Sequence, residues 1–352
     1  MSVPRISVLL PVRNGAAHLW AALRSILEQS HRALEVLVLD DASADGSAKI
    51  AESFHDPRVR VLRFDAPQGL ARLLNMGWIS ADGEYIARMD ADDIAESRRL
   101  ERQLAFLAAR PALAGCGCWL RVFGRGRSFL ARYPTEPGTL HAYALFDNPL
   151  AHPSVLLRRE PFERENLRYN EEPAAAQDYE LWSRALETLK LDNLPEPLLR
   201  YRQHADAVTD KYGGVSESRT LDIQRGLLAR LSIEASEDER RFHRLVGHGA
   251  AMQSPGEMKR AYAWLARIAE ANARIRRYEE DGLRRAIGFV WHRLALNSAR
   301  GGAWAWRFYR EAPFADWHQP GRAERFQMRA TALLAPFRSA SAARAGVRRS
   351  PS

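Results

Sequence analysis

The chain has 352 residues, of which 46% are hydrophobic and 27% charged, and a net charge of +9; this is the make-up of an ordinary globular protein with room for one large or two moderate domains. Only two cysteines are present, Cys116 and Cys118, so a disulfide framework is excluded and a reducing, cytoplasmic setting is expected, with both thiols read as small buried apolar groups. No charged-then-apolar leader opens the chain and no run of about eighteen apolar residues occurs, so a membrane span is not expected.

The elements follow in a regular order. Ile6–Pro11 reads as a strand, Ala17–Gln29 as a helix, Leu34–Asp40 as a strand, Gly46–Phe54 as a helix and Val59–Arg63 as a strand. Continuous apolar runs such as Val36-Leu37-Val38-Leu39 suit strands covered on both faces, so the expected fold is α/β, a mostly parallel, mixed sheet flanked by helices. Residues 69–78 predict a helix, Glu84–Met89 a strand, Ser97–Ala109 a helix stopped by Pro111, and Leu113–Phe123 a further strand. Shorter pieces come next: a helix at Thr139–Phe146, a strand at Ser154–Arg158, a helix at Gln177–Thr188 and a proline-interrupted strand at Leu194–Arg202. From about residue 215 the pattern is mostly helical, and an Ala/Arg/Ser-rich tail over 339–352 is expected to be disordered. The implied division is 1–214 (1–110 nucleotide-binding, 111–214 acceptor-binding), a basic helical extension over 215–338, and the tail.

Strand 84–89 runs straight into Asp90, Asp92 and Asp93, three carboxyls within four positions. Carboxylates this close repel one another, and a hard divalent cation, Mg²⁺ or Mn²⁺ completed by substrate phosphates, is the simplest relief. A solvated turn that caps the next helix is the plainer alternative. The cluster nevertheless sits at the carboxyl end of a strand, where open α/β sheets place their ligands. Strand one ends in Pro11-Val12-Arg13-Asn14-Gly15 and strand two in Asp40-Asp41-Ala42-Ser43, so both deliver polar groups to the same edge. A nucleotide site follows: Asp41 as acceptor for a base or ribose edge, Arg13 for base or phosphates, and a cation bridging the diphosphate. Asp40, Asp41 and Ser43 also suit an N-cap before helix 46–54.

Six segments together resemble an inverting nucleotide-sugar glycosyltransferase of family 2, with the GT-A fold. They are Ile6-Ser7-Val8-Leu9-Leu10-Pro11-Val12-Arg13-Asn14, Val38 through Gly46, Gly69 through Gly77 with Ala81 through Ile86, Met89-Asp90-Ala91-Asp92-Asp93 (similar to the family's DxD motif), Asn148 through Ser154, and Gln177-Asp178-Tyr179-Glu180-Leu181-Trp182. They lie in the family's order across roughly residues 4–210.

The resemblance implies roles. Pro11, Arg13 and Asp41 fall where the base is held, Asp90 where ribose and base are approached, and Asp92 at the metal-binding carboxylate, with Asp93 assisting. Arg72 and Asn75 would neutralise diphosphate charge. Asp178 takes the position of the catalytic base, in a chain where Gln177 replaces the glutamate often found before it. His204 resembles the histidine that returns to metal and diphosphate, Arg202 supplies a further phosphate contact, and His152, Ser154, Gln177 and Trp182 line the acceptor or donor-sugar pocket. The Gln-x-x-Arg-Trp pattern and membrane helices of processive synthases are lacking, which favours single-sugar transfer from a UDP-type donor to a glycan or lipid-linked acceptor. A sugar nucleotidyltransferase wants a Gly-rich basic loop near strand one; a silent nucleotide-sugar or glycan binder would need no base.

Residues 215–352 carry 25 Lys+Arg against 14 Asp+Glu, whereas 1–214 carry 27 against 29. The second part therefore favours an anionic surface. Ile287, Val290, Trp291 and Leu294 recur at helical spacing beside Arg284, Arg285 and Arg293, as expected either for a stripe lying on an anionic membrane or for a packed core. Nothing resembles a recognition helix or a base-stacking sheet, so nucleic acid is not an expected partner.

Overall fold

The computed structural model describes residues 5–124, 126, 128–172, 175–203, 213–318, 321, 326 and 328–331. His204 and the tail over 339–352 lie outside the described residues. By contact the chain forms two compact units, one of Met1–Leu140 with Asn148–Ile223 and one of His141–Asp147 with Gln224–Ser352.

The first unit opens with β1 (Ile6–Val12), α1 (Ala16–Leu27), β2 (Leu34–Asp41), α2 (Ser47–Glu52), β3 (Val59–Phe64), α3 (Leu70–Ser80) and β4 (Tyr85–Arg88). The chain continues through β5 (Ile94–Ala95), α4 (Arg99–Ala108), β6 (Leu113–Gly124), β7 (Phe129–Ala131), α5 (Pro137–Tyr143), β8 (Leu156–Arg158), α6 (Arg159–Arg164), α7 (Gln177–Thr188) and β9 (Lys190–Gln203). The sheet order is β3-β2-β1-β4-β8-β6-β9-β5, with β7 on β6. Strands β3, β2, β1 and β4 are mutually parallel, β8 is antiparallel to both β4 and β6, and β6 and β9 run parallel. Every residue of β1 and β2 is buried, which is what two helical layers impose on a central strand; each fully buried Leu or Ile contributes about 1.5–3 kcal/mol.

Two strands, β5 and β7, have no counterpart in the sequence expectations, because two or three residues carry no periodicity. Strand β9 starts earlier than expected. Pro195 and Pro197 do not end it: the register steps from Cys118↔Leu194 to Trp119↔Pro197, so a bulge takes up Pro195, which cannot donate to the ladder, together with Glu196.

At the amino edge of the sheet, Glu35 is buried and fully occupied. Its Oε1 accepts from Ser7 Oγ at 2.6 Å and from Asp82 N at 2.8 Å, and its Oε2 from Arg60 Nη1 at 2.9 Å. Gly83 makes this approach feasible, since a Cβ there would stand 2.6 Å from Ser7 N.

The helical region comprises α8 (Gly213–Ala229), α9 (Glu237–His248), α10 (Pro255–Ile275), α11 (Glu280–Ser298), α12 (Ala303–Glu311) and α13 (Phe314–Trp317). Helix α9 opens on a capping box of Ser236 and Glu239, and α10 on Ser254 with Pro255 at its first turn. Ile287, Val290, Trp291 and Leu294 of α11 are all 0% exposed. The stripe is core, not a membrane face: a helix covered along that face by aromatic neighbours such as Tyr262 and Phe314 buries its apolar residues against protein.

Candidate active site

Three parallel strands end at one edge, and their loops are tied together before any chemistry is considered. Asn14 N donates to Ser43 Oγ at 2.9 Å, Ala44 N to Asn14 Oδ1 at 2.9 Å, Gly15 N to Ser47 Oγ at 3.0 Å and Ala16 N to Asp45 Oδ2 at 2.8 Å. Asp45 also accepts from Ser47 N at 3.1 Å, so it serves the start of α2, and neither Asp40 nor Asp41 caps that helix as expected; the left-handed Ala42 turns the chain just after β2. Asp40 accepts from Ser43 N at 3.3 Å, and Asp41 from Gln68 N at 2.5 Å, which fixes the approach to α3. Pro11 is buried in β1, while Arg13 and Arg72 are exposed at this edge.

Past β4, one carboxyl oxygen from each of Asp90, Asp92 and Asp93 lies within 4.8 Å of the other two. Arg88, the buried last residue of β4, clamps both Asp90 oxygens, Nη1 to Oδ2 at 2.8 Å and Nη2 to Oδ1. Asp93 is wholly buried; its Oδ1 accepts from Arg202 N at 2.8 Å, while Arg202 Nε donates to Asp92 O at 2.9 Å. Burial, then the charge on Asp90, push the Asp93 carboxyl well above the usual range. Asp90 is also raised, by burial and despite Arg88. The Tyr201 phenol beside the cluster is raised by burial and by the charges of Asp90, Asp93 and Asp92. Asp93 Oδ2 is buried without a hydrogen-bond partner. An orphaned carboxylate oxygen in a set of hard oxygen donors fits Mg²⁺ or Mn²⁺.

Asp178 stands in the first turn of α7, after Ala176 in a left-handed conformation. Its Oδ2 accepts from Asn148 Nδ2 at 2.7 Å. Burial lifts its carboxyl above the ordinary value of 3.8, against the Tyr179 N–H, the Asn148 amide and the charge on Arg88. The charge on Asp178 in turn raises Asp90. The charges of Asp90, Arg88 and Asp178 therefore act on one another.

The remaining predicted residues divide. His152 is buried, its Nε2 2.8 Å from the Tyr169 hydroxyl; burial and then Arg88 hold it well below its usual range, hence neutral. Asn75 is engaged by the segment ahead of α7. Its Oδ1 accepts from Tyr169 N at 3.0 Å and its Nδ2 donates to Tyr169 O at 2.9 Å, so it fixes the segment that carries the phenol. Ser154 is wholly buried, donating to Ala151 O at 2.8 Å and accepting from Cys118 N at 3.2 Å. Trp182 is also wholly buried, edge-on to His152 with centroids 6.3 Å apart, so both support the wall rather than line it. Gln177, half-buried, begins α7.

Sequence reasoning assigned no role to Arg88, Asn148, Tyr169 or Arg99. Arg99 lies beneath the cluster, wholly enclosed, donating to Arg88 O at 2.8 Å and to Gln103 Oε1 at 3.1 Å. An arginine closing a strand otherwise made of Tyr, Ile and Ala was the available signal for Arg88, since such a cation needs partners when buried.

Residues 7–166 match the family model for glycosyl transferase family 2. The sequence is 32% identical over 215 residues to "Putative glycosyltransferase EpsE" of Bacillus subtilis, spanning 58% of this chain and 76% of that protein. It is 30% identical over 197 residues to the succinoglycan biosynthesis protein ExoO of Rhizobium meliloti, spanning 52% and 56%. Among solved structures, S. aureus TarS 1-349 in complex with UDP-GlcNAc superposes with a TM-score of 0.55 at 16% identity, covering 95% of this chain and 92% of that one. That likeness is one of fold, and the fold is GT-A.

Proposed function

The chain belongs to glycosyl transferase family 2, and from that premise we propose that it moves a single sugar, with inversion, from a UDP-linked donor to a hydroxyl of a cell-surface glycan or lipid-linked precursor. The observation that carries this reading is the solitary Asp178 carboxyl, apart from the acidic trio yet within the field of Asp90 and Arg88. Asp178 accepts the proton of the acceptor hydroxyl as that oxygen attacks the anomeric carbon. The bond from that carbon to the diphosphate breaks, and the nucleoside diphosphate leaves with the bonding pair. Asp92, with Asp90 and Asp93 beside it, would hold Mg²⁺ or Mn²⁺, which when bound stabilises charge on the diphosphate.

Arg13 and Asp41 would take the nucleotide, Arg72 and Arg202 the phosphates, and His152 and Gln177 the sugar side of the cleft. The nucleotide sugar bound to TarS and the polysaccharide role in the name of ExoO support the donor and acceptor classes. No helix among the described residues is long and apolar enough to cross a membrane; a cytoplasmic enzyme that meets a lipid-linked acceptor at the membrane's cytoplasmic face is the setting we propose.

The test is Asp178→Asn against a panel of UDP-glucose, UDP-galactose, UDP-GlcNAc and GDP-mannose. Nucleotide release should fall by about 10²-fold or more, while donor affinity stays within about twofold. A variant that turns over like wild type sinks the assignment of the base.

A further inference from the structure

Asp178 is held by more than its own helix, whose Tyr179 and Asp178 N–H groups bond its carboxyl. The Asn148 amide that donates to its Oδ2 at 2.7 Å turns its own Oδ1 toward the Leu150 N–H at 3.4 Å, so the NH₂ is the end presented to the carboxyl. The backbone just beyond is held from below: Asn193 Nδ2, wholly buried on β9, donates to Pro149 O at 2.9 Å and to Pro134 O at 2.8 Å. Strand β6 makes room for that side chain with Gly117, where a Cβ would stand 2.3 Å from Asn193 Oδ1. A line of fixed contacts thus runs from the sheet through Asn193 and Pro149 to Asn148 and ends on one oxygen of Asp178.

We propose that Asn148 is the positioning residue of the base: it clamps Oδ2 of Asp178, leaves Oδ1 as the oxygen that receives the acceptor's proton, and favours the ionised carboxyl. This inference rests on the reading of Asp178 as the base. A hydrogen bond donated to a carboxylate stabilises its charged form, and a fixed carboxylate presents its lone pair without reorganisation. The charged and titratable groups whose fields meet at Asp178 are Arg88 on β4, Asp90 beyond it, and Tyr169 in the segment before α7. Arg88 favours the ionised carboxyl and Asp90 opposes it, and neither can orient it as a directed bond does.

The experiment compares wild type, Asn148→Asp and Asn148→Ala as full chains, following nucleotide release with water as acceptor from whichever sugar nucleotide of the panel wild type turns over fastest. Profiles of kcat from pH 5 to 9, donor KM and thermal unfolding are recorded. Asn148→Asp sets a carboxylate against the base: kcat at neutral pH should fall about 10²-fold, and the acid limb should move up by about one pH unit or more, with donor KM within about twofold. Asn148→Ala should lose about tenfold, with a smaller displacement in the same direction. An acid limb at the wild-type position in the folded variants overturns the inference, and so does a loss carried by KM alone. Asn148 is half-buried, so Asn148→Ala should fold, and it decides the matter if Asn148→Asp does not. If Asp178→Asn is active, the base assignment has failed; if it is inactive and the Asn148 variants keep the wild-type limb, only the role of Asn148 has failed.

Discussion

Replacing Glu35 by Gln tests the reasoning where no ligand is involved. Glu35 gives one oxygen to Ser7 Oγ and Asp82 N and the other to Arg60 Nη1 at 2.9 Å, with Arg5 Nη2 at 3.7 Å. A glutamine keeps the first oxygen, but it turns an NH₂ on the two arginines, so a charge-assisted bond is exchanged for a donor facing donors. Arg60 and Arg5 are 44% and 50% exposed and regain water, which leaves a loss of about 1.5–3 kcal/mol. For a unit of this size that lowers the unfolding midpoint by about 4–10 °C.

The pH dependence follows from the sign of the shift. Burial pushes the Glu35 carboxyl up, but the hydrogen bonds from Ser7, Asp82 and Arg60 and the charge on Arg5 outweigh it and hold the group below its ordinary 4.5. Such a group adds stability above its unfolded pKa and loses it as pH falls through the folded value. Urea unfolding of both proteins, followed by circular dichroism, should show the full gap at pH 7 and a shrinking gap below about pH 4.5. A gap that is constant down to pH 3, or absent at pH 7, refutes the argument.

Other perturbations probe the site edge. Asn75→Ala removes both bonds that hold the Tyr169 backbone and should cost about 2 kcal/mol in urea unfolding while raising KM, with the acid limb of kcat unmoved. Asp92→Ala should weaken donor binding in calorimetry, and chelation should do the same to wild type; indifference to both would contradict a bridging ion. Arg88→Met leaves Asp90 without its clamp and should cost about 3 kcal/mol, together with a kcat acid limb at higher pH. Trp291→Ala, at a fully enclosed position, should destabilise the helical unit by about 3–5 kcal/mol, readable as loss of its thermal transition.

Much of this was legible in the sequence, and the limit was set by the kind of signal. Apolar runs such as Val36 through Leu39 report two-sided burial directly, so the parallel half of the sheet and helix α7, observed at Gln177–Thr188 as expected, could be placed from periodicity. The acidic trio was visible as three carboxyls within four positions, and Asp178 only through the resemblance of its segment to the family. Roles that depend on which atom meets which were not visible. Asn75 and Arg72 sit three residues apart on one helix, yet one faces the Tyr169 backbone and the other water. Tyr169 lies in an irregular stretch that carries no period, and Asn148 becomes informative only once its amide is seen on Asp178. The stripe on α11 was ambiguous in principle, since helical spacing of apolar residues describes a lipid-facing and a core-facing helix equally; enclosure decides it.

The sheet carries buried carboxyls at both edges, and they differ in a way that separates structure from function. Glu35 at the amino edge has each oxygen engaged, and its partners pull its proton affinity down. Asp93 at the carboxyl edge keeps one oxygen without a partner, and burial with Asp90 nearby pushes its affinity up. The first arrangement is stable without a ligand; the second is relieved only by a proton or a cation. A chain selected for stability alone would supply a donor to Asp93 Oδ2, as it does for Glu35, because an unsatisfied buried acceptor costs about 1–3 kcal/mol. At Asp93 that cost falls beside Asp90 and Asp92, the carboxyls proposed to hold the ion. Removing it should therefore trade function for stability: Asp93→Asn, which can donate where the carboxylate cannot, should raise the unfolding midpoint without added metal and lose the further rise that Mn²⁺ gives wild type. A variant still stabilised by Mn²⁺ as wild type is would show that the orphaned oxygen has no part in holding the ion.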